Sequence, residues 1–168
     1  MNDTTSAVAG TSKASKLVLE RTYRARVEEL WELWTTKEGF ESWWGPQGFR
    51  VEVHALDARV GGALHYDMIA SAPEQIAAMK RMGQPTSHAT RGTFIEVSKH
   101  VRLAITHVID FVPGVQPYEH TAVVEFFPTG ERVRMVITAE RYHPEELNNM
   151  ATEGWTSQLT KLDQRFGK

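Results

Sequence analysis

The sequence contains a succession of short segments in which apolar and polar residues alternate, followed by one long segment with helical spacing. Alternation with a period of two is typical of a half-buried strand. The alternating segments lie at 17–23, 49–55, 63–69, 92–97, 101–109, 120–127 and 132–140. Short polar links join several neighbours, which is typical of hairpins. Consecutive strands joined in this way form a meander, so the sequence predicts a curved antiparallel sheet of about six to seven strands.

The last segment predicts a long helix over roughly 144–166. Its apolar residues recur three and four positions apart: Leu147, Met150, Ala151, Trp155, Leu159, Leu162 and Phe166. A strongly curved meander can wrap around one long helix, because each element then buries its apolar face against the other. Side chains between sheet and helix either fill that space or leave a cavity. The predicted fold class is therefore α+β, with the sheet wrapped around the C-terminal helix.

Shorter helices are predicted at two other places. Apolar residues at helical spacing across 27–34 predict one, and a second covers 37–44 after the first strand. The second helix ends at Gly45-Pro46, because proline cannot continue a helix. A helical insertion is predicted near 73–85, between two strands.

Composition limits the classes of partner and compartment. The 168 residues suit one domain, and the formal net charge of -2 does not favour nucleic acid or an anionic membrane. The absence of cysteine excludes disulfides and thiolate chemistry and fits a cytoplasmic location. No apolar run reaches the roughly 20 residues that span a bilayer, so no membrane insertion is expected. Residues 1–15 are predicted to be a disordered tail, and 16–168 a single domain.

Several motifs in the same order resemble a known family. They are RTYRARVEELWELWTTKEGFESWWGP, WWGPQGF, DARVGGALHYDM, GTFIEVSKHVRLAITHVI and EGWTSQLTKLDQRF. Together they resemble the SRPBCC (START-like) superfamily and, more narrowly, the homologue family of the 90-kDa heat-shock-protein ATPase activator. The resemblance covers roughly 16–166. It implies a helix-grip fold with a cavity, and the family name implies a chaperone partner and a role in the stress response. It supplies no general catalytic motif.

Strand alternation predicts which side chains face the cavity. Tyr66, His107 and His120 fall on an otherwise apolar face, where they suit the polar end of a ligand with an apolar body. Each also fits a core or rim residue hydrogen-bonded to protein or water. The predicted ligand-binding residues are Trp44, Phe49, Tyr66, Met68, Ile105, His107, His120, Val124, Trp155 and Leu159.

Other chemistry finds little support in the sequence. His107 and His120 lack an obvious third ligand, so no metal is predicted. No glycine-rich phosphate loop is present, and no cofactor is expected. Met79 and Met82, in the insertion, fit either an adaptable lid or a small satellite core.

Three hypotheses for function follow. The first is binding of a small hydrophobic or amphipathic ligand without catalysis. The second is an enzyme of cyclase, dehydratase or hydrolase type that uses the same pocket, with His107 as general base and Tyr66 as oxyanion donor. An imidazole in an apolar wall is expected to stay neutral at pH 7, which suits a base. The third is a chaperone-interacting module.

Overall fold

The computed structural model describes residues 16–110 and 112–167. The tail predicted over 1–15 lies outside the described residues. Within them the chain forms seven strands: β1 (Lys16–Arg24), β2 (Phe49–Leu56), β3 (Ala63–Ala70), β4 (Ser87–Ser98), β5 (Arg102–Ile109), β6 (Tyr118–Thr129) and β7 (Arg132–Glu140). The same residues form four helices: α1 (Val27–Thr35), α2 (Lys37–Glu41), α3 (Pro73–Arg81) and α4 (Leu147–Phe166).

The seven strands form one antiparallel sheet in the order β1-β7-β6-β5-β4-β3-β2. Strands β2 to β7 are consecutive neighbours, and β1 pairs with β7. The register shifts between Val53 and Ala55 in β2 and between Phe94 and Glu96 in β4. Such bulges increase the local twist and bend the strand. The predicted α+β fold, a curved antiparallel sheet with a long C-terminal helix and two short helices after the first strand, is confirmed.

Trp34, Phe40, Trp43 and Trp44 form a buried aromatic cluster in the core. The Trp34 ring lies edge-on to Trp43 and Trp44, with centroids 5.0 and 5.4 Å apart, and Phe40 stacks on Trp44 at 4.7 Å. The Trp43 indole N–H donates to the carbonyl of Leu33 at 2.9 Å, so its polar group is satisfied although the ring is buried. The short helices α1 and α2 thus hold the tryptophans against the sheet.

Helix α4 packs on the sheet through its C-terminal half. Leu159 and Leu162 are fully buried, and the Tyr23 hydroxyl in β1 donates to Asp163 Oδ1 at 2.7 Å. The Arg21 guanidinium lies 3.5 Å from the same carboxylate. These contacts attach the end of α4 to the first strand.

The structure differs from the predicted boundaries at two places. Helix α4 begins at Leu147 instead of near 144, because the Asn148 side chain holds the preceding backbone in a turn. The Tyr142 N–H donates to Asn148 Oδ1 at 2.7 Å, and Asn148 Nδ2 donates to the Tyr142 carbonyl at 3.0 Å. Strand β4 begins at Ser87 instead of 92, because backbone pairing with β3 extends it where no apolar alternation is present.

The insertion is a nine-residue helix, α3, in which no residue is buried. It lies between β3 and β4 and borders the cavity described below. Across 16–110 and 112–167, no helix combines the length and apolar character that crossing a membrane requires.

Candidate functional site

A cavity of about 670 Å³ lies between α4 and strands β2 to β6. It is lined mainly by apolar and aromatic side chains. Nine of the ten predicted ligand-binding residues border it: Trp44, Phe49, Tyr66, Met68, Ile105, His107, His120, Val124 and Trp155. Alternation along four strands and helical spacing along α4 bring eight of these side chains together, and Trp44 comes from the segment between α2 and β2. Their role in binding stays a prediction.

Leu159, the tenth predicted residue, does not border the cavity. It is fully buried, one helical turn after Trp155, at a point where α4 is already packed on the sheet. Its side chain therefore belongs to the closed core. Helical spacing placed it on the correct face of α4, but that face changes from cavity wall to core along its length.

A hydrogen-bonded group joins Trp44, Tyr66 and His107 in the cavity wall. The Trp44 indole N–H donates to the Tyr66 hydroxyl oxygen at 2.9 Å, and the same oxygen lies 3.0 Å from His107 Nε2. The planes of the Trp44 and His107 rings are inclined by only 7°, with centroids 6.2 Å apart. Because Tyr66 is buried and bonded on both sides, these three side chains hold one another in fixed positions.

Burial makes His107 a neutral imidazole. Desolvation, with a smaller contribution from the charge of nearby His120, lowers the pKa of His107 from 6.5 to about 4. The part of the ring that remains accessible borders the cavity. Desolvation likewise raises the pKa of Tyr66, so its hydroxyl stays protonated at neutral pH.

His120 is positioned by the protein itself. It lies directly opposite His107 in the β5–β6 ladder, and its Nε2–H donates to the carbonyl of Glu140 at 2.7 Å. Its ring also stacks on Tyr142 with centroids 3.8 Å apart. Desolvation lowers the pKa of His120, and the Glu140 carbonyl partly offsets that shift. One nitrogen of this histidine is therefore already used within the protein.

Sequence reasoning missed six polar residues in the lining, which are Tyr142, Gln158, Gln84, Thr86, His88 and Thr90. Tyr142 and Gln158 make hydrogen bonds to other side chains or backbone. The Tyr142 oxygen accepts from the Trp155 indole N–H at 3.3 Å, and burial raises the pKa of Tyr142 to about 12. Gln158 Oε1 accepts from the Gly45 N–H at 2.9 Å. Gln158 lies three positions after Trp155, so helical spacing was the signal for it. Tyr142 lies between a strand and a helix, where neither periodicity applies.

The mouth of the cavity is bordered by methionines. Met79 and Met82, in and just after α3, and Met150 of α4 line it, and the last two are 61% and 67% exposed. Met79 and Met82 thus face the cavity and do not form a closed satellite core. Their role as an adaptable lid stays a prediction.

Ionisable side chains are few among the described residues of the lining. These residues include no Lys, Arg, Asp or Glu, and the ionisable side chains present are those of His88, His107, His120 and two tyrosines. His88 Nε2 lies 3.7 Å from Asp110 Oδ1. Within the described ranges, no three His, Cys, Asp or Glu side chains are grouped so that they would hold a metal ion.

A second depression, of about 490 Å³, lies where β1 meets α1, beside the β6–β7 turn. Half of its lining residues are charged: Arg24, Arg26, Glu28, Glu29 and Glu131. Arg24 pairs with Glu131 at 2.7 Å and Arg26 with Glu29 at 3.8 Å. These are exposed ion pairs on an open surface, so the apolar cavity is the better candidate for a ligand site.

Comparison with known proteins identifies structures of the same fold and the family to which the chain belongs. No curated protein matches the sequence. Solved structures from Chromobacterium violaceum and Nitrosomonas europaea superpose with TM-scores of 0.71 and 0.66 at 22% and 24% identity. They cover 92% and 89% of this chain, and this chain covers 99% and 92% of theirs. An AHSA1 protein from Silicibacter pomeroyi has a TM-score of 0.70 at 21% identity, over 90% of this chain and 97% of that one.

At these identities the likeness to solved structures shows the fold alone. The family is shown by a separate match, which extends over residues 24–167 and so includes every element after β1. The matching family is described as Activator of Hsp90 ATPase homolog 1-like protein, and the chain belongs to this family.

Proposed function

We propose that the protein binds a small hydrophobic or amphipathic ligand in the cavity, without catalysing a reaction. The observation that carries the proposal is the cavity itself, about 670 Å³ in volume and lined mainly by aromatic and aliphatic side chains. Ligand sites typically measure about 300–1,000 Å³ and combine apolar walls with a few fixed polar groups. Tyr66, His107 and Gln158 are such groups here.

The driving force is the transfer of apolar ligand surface out of water. It contributes about 25 cal/mol per Å² buried, before the loss of ligand freedom is subtracted. The hydrogen bonds between Trp44, Tyr66 and His107 are made within the protein and hold the wall on that side in a fixed position. A preformed wall lowers the entropy lost on binding.

The proposal is tested with 1-N-phenylnaphthylamine, an uncharged apolar probe whose fluorescence rises in apolar surroundings. Two phenylalanine substitutions on α4 form a matched pair. Ala151→Phe places a ring into the cavity, whereas Glu153→Phe places the same ring on the exposed side of the helix. Ala151→Phe is expected to weaken binding at least about tenfold, about 1.4 kcal/mol. Glu153→Phe is expected to bind like the unchanged protein.

Absence of probe binding to the folded protein would contradict the proposal. Equal loss in both variants, with folding confirmed by circular dichroism, would place the probe outside the cavity. Native mass spectrometry of freshly purified protein, followed by denaturation, gives a second readout. We expect it to release a co-purified small molecule.

An enzyme that uses the same cavity is the second candidate. It is favoured by the position of His107 in the cavity wall, where burial keeps the imidazole neutral at pH 7 and the Tyr66 hydroxyl lies 3.0 Å away. Turnover of a bound compound that disappears in His107→Ala, while the apolar probe still binds, would favour this candidate over simple binding.

A chaperone partner is the third candidate, and it rests on the family description. If a chaperone binds the outer surface, Ala151→Phe leaves that interaction unchanged. If it binds through the cavity mouth, the same variant weakens it. Binding of a purified chaperone to both proteins, measured by calorimetry, separates the two cases.

A further inference from the structure

In the two hydrogen bonds that join Trp44, Tyr66 and His107, the chemistry of the groups determines which one donates and which one accepts. An indole N–H only donates, so the Tyr66 oxygen must accept from Trp44. The Tyr66 hydroxyl has one proton of its own, and His107 Nε2 at 3.0 Å is its partner among the described residues. If Nε2 instead carried the proton, two donors would point at one oxygen, and the buried hydroxyl proton would have no acceptor. The satisfied arrangement therefore runs from Trp44 to Tyr66 to His107.

This direction fixes the tautomer of His107. Because Nε2 accepts and the ring is neutral, the proton lies on Nδ1. No side chain or backbone group within the described ranges accepts from Nδ1, and the accessible part of the ring borders the cavity. His107 thus presents an N–H donor to a ligand.

Two other side chains in the lining, those of Tyr142 and Gln158, are also left with hydrogen-bond donors. The Tyr142 oxygen accepts from Trp155, which leaves the Tyr142 hydroxyl proton as a donor. Gln158 Oε1 accepts from the Gly45 N–H, so the NH₂ group of Gln158 is the part of the amide that is left to bond a ligand, and it can only donate. In both residues the side-chain oxygen already accepts from an N–H group of the protein, and the side-chain protons are left to donate. His107, Tyr142 and Gln158 therefore each present a hydrogen-bond donor to the cavity.

The charge of the lining decides what kind of acceptor fits. A carboxylate buried there would meet no Lys or Arg among the described lining residues, and a buried charge without a partner is strongly unfavourable. A neutral carbonyl oxygen accepts the same hydrogen bond without that cost. The neighbours of His107, which are Tyr66, His120 and Trp44, supply no negative charge that would turn the imidazole into a cation.

We infer that the ligand is an uncharged molecule with an apolar body and a carbonyl-type oxygen, which accepts the Nδ1–H of His107. Aryl ketones, esters and quinones belong to this class, and fatty-acid anions do not. The inference rests on the proposed function, because it names the chemistry of the ligand that this cavity binds. In it His107 selects the ligand, and Tyr66 is a positioning residue that holds the tautomer.

Displacement of 1-N-phenylnaphthylamine by three naphthalenes of similar shape tests the inference. They are 2-acetylnaphthalene, 2-isopropylnaphthalene and 2-naphthoate, which carry a ketone, no acceptor and an anion. The ratio of ketone to hydrocarbon affinity is compared in the unchanged protein and in His107→Phe, so that differences in hydrophobicity cancel. We expect the ratio to fall at least about fivefold in His107→Phe. His65→Phe, the same change on an exposed position of β3, is expected to leave the ratio unchanged.

We also expect 2-naphthoate to bind at least about tenfold more weakly than the ketone at pH 7.5. An unchanged ratio in His107→Phe, or tight binding of naphthoate, would overturn the inference while the proposed function stands. Failure of all three compounds and of the probe would overturn both. The tautomer is measured independently by ¹⁵N NMR of the unsubstituted protein. Nitrogen shifts that place the proton on Nε2 of His107 would overturn the inference without any variant.

Discussion

The two halves of α4 belong to the same helix but have opposite surroundings. In the C-terminal half, Leu159 and Leu162 are fully buried against the sheet. In the N-terminal half, Leu147 and Ala151 are half-buried along the cavity, and Met150 is 67% exposed at its mouth. The apolar stripe continues through both halves at the same spacing. One half therefore belongs to the closed core, and the other lines the cavity.

This division of α4 has a physical cause in its attachments. Tyr23 and Arg21 of β1 fix Asp163 near the end of the helix, and Gln158 and Ser157 accept N–H groups of the segment that follows Trp44. Before Trp155 the helix is attached mainly through Asn148 and Trp155 to the backbone and side chain of Tyr142. The described contacts between α4 and the sheet lie mostly in its C-terminal half, and the cavity lies beneath the other half, so substitutions in the two halves should have separable effects.

The largest expected effect is on the core half. Leu159→Ala should lower the free energy of unfolding by about 2–5 kcal/mol, because it removes a fully buried side chain and leaves a hole. Urea denaturation at neutral pH measures it. The affinity for 1-N-phenylnaphthylamine should change little in the protein that remains folded. A stability change within about 0.5 kcal/mol would show that α4 is not packed on the sheet at this point.

The next effect concerns pH and the cavity wall. The folded-state pKa of His107 is about 4, below its ordinary value of 6.5, so the unfolded chain binds more protons between these values. The contribution of this pKa shift to the free energy of unfolding is complete above pH 6.5 and is lost as the pH falls towards 4. It amounts to about 2 kcal/mol lost by about pH 5. Urea unfolding at pH 7.5 and 5 should therefore show a smaller difference in His107→Gln.

The control for this pH effect is His65→Gln, which changes an exposed histidine on β3. It should keep the pH dependence of the unchanged protein. If His107→Gln and His65→Gln have the same pH dependence, His107 titrates in the folded protein much as it does in the unfolded one.

A smaller effect, this time a gain in stability, is expected from a substitution near the middle of α4, where the two halves meet. Gly154 lies inside α4 and borders the cavity, and a Cβ built on it would meet no atom within 4 Å. Gly154→Ala should therefore stabilise the protein by about 0.5–1 kcal/mol, since alanine loses less backbone freedom in a helix. Thermal unfolding measures the change. Destabilisation would mean that the helix backbone lies closer to the sheet at this point.

The smallest effect on stability is expected at the mouth. Met150→Ala should change the free energy of unfolding by no more than about 0.5 kcal/mol, because the side chain is largely exposed. It should still speed dissociation of 1-N-phenylnaphthylamine, measured by stopped-flow displacement, because it removes part of the cavity border. A loss of stability comparable to that of Leu159→Ala would remove the distinction between the halves.

Much of the fold was predictable because its periodicities are strong. The inward faces of β5 and β6 follow from alternation, and Ile105 and Val124 are buried as that parity requires. Boundaries that depend on backbone or side-chain hydrogen bonds were not predictable. Strand β4 extends to Ser87 by pairing with β3, and Asn148 delays the start of α4.

The candidate site was predictable to the same extent and for the same reason. His107 and Tyr66 lie on the predicted face, but their contact crosses β4, and alternation alone does not give its 3.0 Å distance. Tyr142 lies outside any periodic segment, and the polar character of Gln158 hid its place on the buried face of α4. Pattern predicts which way a side chain points, and tertiary contacts decide which side chains meet.

The proximity of the tryptophans makes the molecule its own optical reporter. Trp34, Trp43, Trp44 and Trp155 form a connected array in which neighbouring ring centroids lie 5.0–5.5 Å apart. At such separations excitation energy passes between indoles before emission, so the array responds as a coupled chromophore. Trp44 and Trp155 both border the cavity. A molecule that enters beside either ring therefore alters the emission of the whole array, and occupancy becomes visible without a label.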